Sequence, residues 1–376
     1  MKWEKVKLGN VTDSCLGKML DQNKNKGDYQ PYLANVNVRW GEFDLEDLPL
    51  MKFEESEQER YELKYGDLVI CEGGEPGRCA IWKEQIPNMK IQKALHRVRV
   101  HDCIDYRYLF YWFLLAGKTG ELDQYFTGAT IKHMPGQKLK EVVIDKPPLE
   151  IQHRIADILS AYDDLIENNQ KQIKLLKEAA QRLYKEWFVD LHFPGHENTK
   201  IVDGVPEGWR RGLLKELISV NYGKDHKKVP DDGNIPVYGS GGLMRKCNKS
   251  LFSGEAVLIP RKGSLNNIMY VDETFWTVDT MFYATMKQPH TAVFVYFFVK
   301  AFDMYSMNIG AAVPSMTTKI LDAMDVVIPD KETLEKFDKY AKVYFNKIKT
   351  LQGQNEQLKT ARDLLLPKLM SGEVEV

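Results

Sequence analysis

The chain has 376 residues, of which 43% are hydrophobic and 11% aromatic, as in a folded protein of about two domains. Its formal net charge is −1, which argues against a protein that coats nucleic acid through overall positive charge. The five cysteines show no Cys-x-x-Cys spacing, which indicates reduced thiols and no structural zinc. No apolar run is long enough to cross a bilayer and the first residues are charged, so we predict a cytoplasmic protein without a membrane segment.

The N-terminal part of the chain alternates short predicted strands with loops. Residues 3–16 are predicted to form a strand or short helix that leads to a turn at Gly17-Lys18. Acidic residues crowd segment 54–62, which we interpret as a solvated helix, and the aromatic segment 106–115 is predicted to be a helix. Residues 127–140 are predicted to form a polar loop. Further strands are predicted at residues 31–40, 66–71, 79–82 and 90–100.

Two glycine-rich loops, at residues 73–77 and 238–242, invite comparison with phosphate-binding loops. Both lack the lysine and hydroxyl of a P-loop and the spacing of a dinucleotide fingerprint, so we favour plain connections between strands. Asp231-Asp232 lies in a turn-like Pro-Asp-Asp-Gly and has no following Glu-x-Lys, which argues against a metal-dependent nuclease. No Ser/His/Asp or Cys/His set stands out. The sequence therefore predicts no catalytic residue and no metal site.

Residues 149–187 are predicted to form one long helix. Prolines 147 and 148 precede it, where proline is tolerated, and His192 to Gly195 end it. About 40 residues rising about 1.5 Å each make a rod of roughly 60 Å, longer than an ordinary globular helix. Asn169 is a polar residue of the kind that fixes register in a coiled coil. Residues at alternating steps of three and four form the seam: Ile151, Ile155, Ile158, Tyr162, Leu165, Asn169, Ile173, Leu176, Ala180, Leu183 and Trp187.

The same pattern occurs again at the C-terminal end. Ile155 corresponds to Phe337 and Leu183 to Leu365, and Gly128-Ala129 corresponds to Gly310-Ala311 before the helix. A second set of matches links the globular parts: Trp3, Gly17 and Lys18 correspond to Trp209, Gly223 and Lys224. A period this long indicates a duplicated domain. The chain is therefore a globular unit and a long helix, followed by a second such pair.

We predict an α+β fold in which two α/β domains, related by a pseudo-twofold axis, are joined by two long antiparallel coiled-coil helices. The alternative for each helix is ordinary burial of one face in a helical domain. A twofold arrangement suits duplex DNA, which has its own approximate twofold symmetry. The predicted boundaries are 1–146 for the first domain, 147–190 for the first helix, 191–329 for the second domain and 330–376 for the second helix.

This organisation resembles the specificity subunit of type I restriction–modification systems. The resemblance covers nearly the whole chain, although residues 329–332 (PDKE) depart from the Pro-Pro-Leu-x-x-Gln pattern that opens the first helix. The motifs that carry it are residues 147–152 (PPLEIQ), 183–190 (LYKEWFVD), 206–209 (PEGW) and 365–372 (LLPKLMSG), with the Gly66-Asp67 and Gly254-Glu255 strands.

The resemblance implies that each globular unit is a target recognition domain that reads one half of a bipartite double-stranded DNA site. It also implies that the helices space the halves and dock two modification subunits, which methylate adenine, while restriction subunits complete the nuclease. The chain itself would be non-catalytic and bind no cofactor; S-adenosylmethionine, ATP and Mg would bind to the partner subunits. It would work in the cytoplasm of a bacterium or archaeon. The alternative is a coiled-coil scaffold that does not read DNA.

Base reading requires arginine, lysine, asparagine or glutamine in loops that enter a groove, and phosphate contacts require cations. Residues 215–262 carry nine basic and five acidic residues, a local basic excess. Candidates in the first unit are Lys24, Lys26, Arg39, Arg78, Gln92, Lys132 and His133. Candidates in the second are Lys227, Lys228, Ser240, Arg245, Lys246, Arg261, Lys262 and Asn266. The residues predicted to bind partners on the helices are Ile155, Tyr162, Leu176, Tyr344, Leu358 and Leu365.

Overall fold

A computed structural model of the chain describes residues 3–21, 25–307 and 315–376. The chain divides into two compact units: the first comprises Met1–Asn168 with Gln354–Val376, and the second comprises Asn169–Gly353. Each unit combines one globular domain with a part of both long helices. Because the units are not contiguous stretches of chain, the domain boundaries above stay predictions. Among the described residues, none of the helices has the length and apolar character needed to cross a membrane.

The first unit is built from short strands and three helices that lie before the long one. Its strands are β1 (Glu4–Lys7), β2 (Thr12–Leu16), β3 (Asp28–Leu33), β4 (Leu50–Phe53), β5 (Leu68–Cys71), β6 (Cys79–Ile81), β7 (Lys90–Ile91), β8 (Leu95–Val100) and β9 (Val143–Lys146). Its helices are α1 (Gln58–Tyr61), α2 (Tyr106–Thr119) and α3 (Gly136–Glu141), with the first part of α4 (Leu149–Phe188) and the last part of α7 (Lys331–Met370). Short 3-10 helices lie at Leu8–Asn10, Asn35–Asn37, Glu55–Glu57 and Glu121–Tyr125.

The aromatic helix α2 packs in the core of the first unit. The Asp105 carboxylate begins it by accepting from the backbone N–H groups of Arg107 at 2.7 Å and Tyr108 at 3.0 Å, so two otherwise unpaired donors are satisfied. Gly120, with φ of 75°, ends the helix in the left-handed region that favours glycine. The strand β5 is buried along its whole length beside this helix. The predicted aromatic helix is confirmed.

The second unit repeats this plan with longer strands. Its strands are β10 (Ile201–Val202), β11 (Val205–Pro206), β12 (Arg210–Leu213), β13 (Ile218–Tyr222), β14 (Ile235–Gly239), β15 (Gly242–Cys247), β16 (Phe252–Pro260), β17 (Met269–Thr277), β18 (Met281–Met286) and β19 (Asp325–Ile328). Its helices are α5 (Ala292–Lys300) and α6 (Thr318–Asp322), with the remaining parts of α4 and α7, and 3-10 helices lie at His196–Asn198 and Leu214–Glu216.

The two domains share one strand order. In the second unit a single sheet has the order β13-β18-β16-β17-β14-β15. In the first unit the sheets β2-β8-β5-β6 and β7-β3-β4 follow the same order, because the strand that corresponds to β17 is split into β6 and β7. The parallel pairing is retained: Tyr32 lies opposite Lys90, and Val237 lies opposite Trp276. Strand pairs β1–β9 and β12–β19 also correspond. The duplicated domain is therefore confirmed.

Both long helices have 40 residues, so the predicted helices are confirmed. Within the first unit, Asp163 of α4 pairs with Arg362 of α7, while the earlier Ile155 shares a core cluster with the later Leu369. The two segments therefore run antiparallel in this unit. In the second unit the ring of Trp187 lies 5.8 Å from that of Phe337. The α+β fold with two repeated domains and long helices is confirmed, and the pseudo-twofold relation between the domains stays a prediction.

Several local predictions for the first unit need correction. The acidic segment 54–62 is helical and mostly exposed, as predicted, but it is only a 3-10 turn and the one-turn helix α1. Two buried lysines hold it: Lys18 contacts Glu57 at 2.5 Å and Lys90 contacts Glu62 at 2.6 Å. The single strand predicted at 90–100 is two strands, and the predicted loop 127–140 contains α3. The segment 3–16 is two strands, of which β1 pairs with β9 at the far end of the domain sequence.

Candidate nucleic-acid interface

Each unit presents a loop directly after its central buried strand. Residues 72–78 follow β5 in the first unit, and residues 261–268 follow β16 in the second. Both loops pair with the segment that precedes a short helix: Gly73 bridges to His133 before α3, and Lys262 bridges to Ser315 before α6. The glycine-rich loop and the polar loop that the sequence singled out in the first unit therefore lie side by side, and the second unit has the same arrangement.

A second contact fixes each loop against the turn after β3 or β14. In the first unit Arg78 Nη2 donates to the Asn35 carbonyl at 3.0 Å, and in the second Asn267 Nδ2 donates to the Ser240 carbonyl at 2.9 Å. Each loop contains a glycine with a positive φ, Gly74 in the first unit and Gly263 in the second. The turn residue Asn35 lies close to Gly74, and the turn residue Ser240 lies close to Gly263. Three segments thus converge in each unit. The sequence analysis did not select Asn35 and Asn267 as site residues, because neither belongs to a recognisable motif.

Candidates in the first unit divide into anchored and free side chains. Arg39 donates to the backbone of Val36 and Val38, and Arg78 is held by Glu75 at 3.0 Å as well as by Asn35. The Arg78 side chain is only 17% exposed, so little of its guanidinium remains for a ligand, whereas the Arg39 side chain is 46% exposed. Gln92 is half-buried, and Lys132 lies 3.5 Å from the Asp123 carboxylate. Lys26 and His133 are exposed, and Lys24 lies outside the described residues.

In the second unit, three candidate side chains form hydrogen bonds within the unit. Arg245 donates to the His226 and Val229 carbonyls at 2.5 and 2.9 Å, which fixes the loop after β13. Arg261 donates to Asp279 and lies 5.5 Å from the ring of Tyr222, and Asn266 donates to Asp303 at 3.0 Å. Ser240 is half-buried. The lysine candidates of the second unit are exposed and make no ion pair with the described residues: Lys227, Lys228, Lys246 and Lys262.

The two loops differ in charge. The first contains Glu72 and Glu75, and Glu75 is engaged by Arg78 and by Trp40 Nε1 at 2.7 Å. The second contains Arg261 and Lys262 with no acidic residue between 261 and 268. Because cations attract the phosphate backbone, the second unit presents the more favourable surface for DNA. Equivalent loops therefore carry different side chains in the two units.

The described residues contain no group of three or more His, Cys, Asp or Glu side chains placed to hold a metal ion. Several perturbed titratable groups of the first unit join its domain to the long helices. Burial and the Asp163 carboxylate raise the pKa of Tyr111, which donates to Asp163 at 2.6 Å. Burial works to raise the pKa of Asp363, but Lys118 and Arg362 outweigh it and lower that pKa. These groups are structural, unlike the isolated perturbed groups of an active site.

Comparison with known proteins agrees with this geometry. A family model described as the type I restriction modification DNA specificity domain matches residues 1–178 and 206–360. The chain belongs to this family. It is 27% identical to the type I restriction enzyme MjaIX specificity subunit of Methanocaldococcus jannaschii, over 83% of this chain and 78% of that protein. It is 24% identical to the MjaVIII specificity subunit of the same organism, over 100% of this chain and 93% of the relative.

A solved structure supports the fold of the specificity-subunit family. The crystal structure of the S subunit of a type I restriction–modification system from M. genitalium has a TM-score of 0.59 to this chain at 18% identity. The likeness covers 98% of this chain and 96% of that one. At this identity it shows the fold alone.

The motif that opens the first long helix in this specificity subunit is a buried anchor. Gln152 is 0% exposed, and its Oε1 accepts from the Asp105 N–H at 2.9 Å. Its Nε2 donates to the Pro147 carbonyl at 2.8 Å and the Cys103 carbonyl at 3.2 Å. The glutamine therefore joins the start of α4 to the residue that begins α2. All partners are backbone groups, so only a side chain with both donor and acceptor can serve them.

The second long helix replaces this glutamine with a different cap. Asp330 accepts from the Thr333 N–H at 3.0 Å and from Trp209 Nε1 at 3.0 Å. Burial works to raise the pKa of Asp330, but the hydrogen bonds from Thr333 and Trp209 outweigh it and lower that pKa. The departure from the Pro-Pro-Leu-x-x-Gln pattern is thus compensated, because Trp209 of the Pro-Glu-Gly-Trp motif serves as the anchor.

Proposed function

We propose that this chain is the DNA-recognition subunit of a type I restriction–modification complex, in which each domain reads one half of a bipartite double-stranded site. The observation that carries the proposal is the pair of equivalent three-segment surfaces, built on the same strands but carrying different side chains. Equivalent placement suits two half-sites, and different side chains suit two different sequences.

The long helices are proposed to space the half-sites and to dock two adenine-methylating modification subunits. Ile155 is buried in the core of the first unit, whereas Tyr162, Leu176, Tyr344, Leu358 and Leu365 are half-buried. Other apolar helix residues are exposed and are added here as candidates: Ile158, Leu165, Leu175, Tyr340, Val343 and Leu364. Exposed apolar residues on a helix are what a docked helix of a partner would cover.

Under this proposal the chain performs no chemistry itself. The modification subunits would bind S-adenosylmethionine, and restriction subunits would use ATP and Mg. The complex would act on DNA in the cytoplasm of a bacterium or archaeon. The names of the relatives support the assignment, since they are specificity subunits of type I restriction enzymes.

Mapping of methylated adenines tests the proposal. This chain would be co-expressed with the modification subunit encoded beside it, and host DNA would be sequenced with and without the chain. We expect a split motif with a fixed gap that disappears when the chain is omitted. If both proteins fold and associate but no methylation depends on the chain, DNA reading is refuted and the scaffold alternative is favoured.

Replacing Lys262 by alanine should weaken DNA binding without changing the preferred sequence. Lys262 is exposed and carries no ion pair among the described residues, so it is free to contact a phosphate. Loss of one phosphate contact should lower the slope of log affinity against log salt by about one. The measurement is a salt titration of the assembled complex on its own site, because we expect the chain alone to bind weakly.

Lys200→Ala is the matched control, because Lys200 is an exposed lysine outside the convergent loops. Its slope should equal that of the unaltered complex. If the two variants have equal slopes, Lys262 does not contact a phosphate. If the Lys262→Ala complex methylates a different motif, Lys262 reads a base instead.

A further inference from the structure

The first unit contains an apolar cavity of about 790 Å³ where α4 begins and α7 ends. Most of its lining is apolar and includes Trp3, Pro148, Leu149, Ile155, Leu369 and Val374, and the charged residues Glu4, Lys146 and Glu375 also line it. Leu149 is 37% exposed although it is a large apolar residue. A cavity of this size and character is in the range that accommodates a ligand or a bulky side chain.

The equivalent place in the second unit is filled by the chain itself. Trp209, which corresponds to Trp3, is only 8% exposed. The ring of Phe193 lies 4.8 Å from it and that of Phe188 lies 5.8 Å from it. Phe188 in turn lies 4.8 Å from Phe337. The segment that leaves α4 therefore seals the tryptophan under a cluster of aromatic rings.

Comparison of the two copies explains the cavity. Ile155 stands where the second unit has Phe337, and Met370 stands where it has Phe188. Glu375 stands where the second unit has Phe193. Ile155, which lines the cavity, is smaller than Phe337 and leaves space that a packed core would otherwise fill. The first unit thus keeps the tryptophan and the apolar walls but lacks the aromatic side chain that covers them.

We propose that this cavity receives an aromatic side chain of one modification subunit. The inference rests on the proposed function, because the cavity is formed by the ends of the helices that are proposed to dock these subunits. The second unit shows what such a surface accepts: a phenylalanine stacked on the tryptophan. Aromatic residues that enter an apolar pocket are the usual anchors of protein interfaces. Phe188 and Phe193 cover the corresponding tryptophan in the described part of the second unit, so the two docking sites are unequal.

Leu149→Asp tests this inference. A carboxylate at the mouth of the cavity should weaken docking of an aromatic side chain at least tenfold. The fold should persist, because Leu149 is partly exposed and an acidic residue is favourable at the first position of a helix. At the lowest modification-subunit concentration at which the unaltered chain binds two subunits, native mass spectrometry should show mainly one bound subunit. Ile201→Asp, an exposed apolar residue on β10, makes the same chemical change and should leave two bound.

A second variant fills the cavity instead of charging it. Ile155→Phe places the side chain of Phe337 at the corresponding position of the cavity lining, so it should fold with an unchanged or higher Tm and also retain one bound subunit. If both variants bind two modification subunits with unaltered affinity, the inference is overturned while the proposed function stands. If the unaltered chain binds no modification subunit, the proposed function fails and the inference fails with it.

Discussion

Inserting one heptad into each long helix should widen the gap between the methylated half-sites by about three base pairs. Seven helical residues add about 10 Å, and one base pair occupies about 3.4 Å. We would insert after Lys174 in α4 and after Thr350 in α7, both within the second unit. A whole heptad restores the seam, so the apolar faces still meet. Methylation mapping reports the gap directly.

The design depends on treating the helices as a pair. An insertion in α4 alone places seven residues opposite no partner and should abolish assembly rather than lengthen the gap. Seven residues inserted between Asp203 and Gly204, in the turn of the β10–β11 hairpin, are the control and should leave the gap unchanged. An unchanged gap in a paired variant that still assembles and methylates would show that the helices are not the ruler.

The sequence predicted the long helices well because their signal is local and repeated. A seam with steps of three and four over 40 residues has few alternative interpretations, and two prolines mark its start. The duplicated domain was predictable for a related reason. Trp3 and Trp209 are matched by further residues in the same order, so weak similarities reinforce one another along the chain.

The acidic segment 54–62 shows where local reasoning fails. A run of glutamates reads as a solvated helix when only its neighbours are considered. Its true partners, Lys18 and Lys90, are distant in sequence, and Lys90 is 0% exposed. A lysine is rarely buried unless it is paired, so nothing in the sequence marked these two as core residues. The segment is exposed along most of its length, as predicted, but Glu57 and Glu62 tie it to the domain.

The choice of DNA-binding residues from the sequence was inaccurate for a different physical reason. Arg78, Arg245 and Arg261 donate to backbone carbonyls of their own unit, and any loop carbonyl can be such a partner. Residue type alone therefore cannot separate an arginine that holds a loop from one that reaches a base. Lys262 could be separated only after the structure showed where its loop lies and that it is exposed.

Replacing Gln152 by alanine should lower the free energy of unfolding by about 3 kcal/mol, because three buried backbone groups lose their partner. Water cannot readily replace the side chain, since Gln152 is 0% exposed. The effect should extend beyond α4, because the Asp105 that Gln152 holds also begins α2. Urea denaturation of the full chain measures the change, and near-ultraviolet circular dichroism should report looser packing of the aromatic helix α2.

Gln181→Ala is the matched control on the same helix. Gln181 is exposed, and alanine has the higher helix propensity, so stability should change by less than about 0.5 kcal/mol. A loss in Gln152→Ala as small as in Gln181→Ala would show that the glutamine is dispensable for the fold. The motif at the helix start would then need an explanation through partner binding, because its buried hydrogen bonds would carry no stability. A large loss confined to Gln152→Ala would identify the motif as the point at which the first globular domain and the long helix α4 fold together.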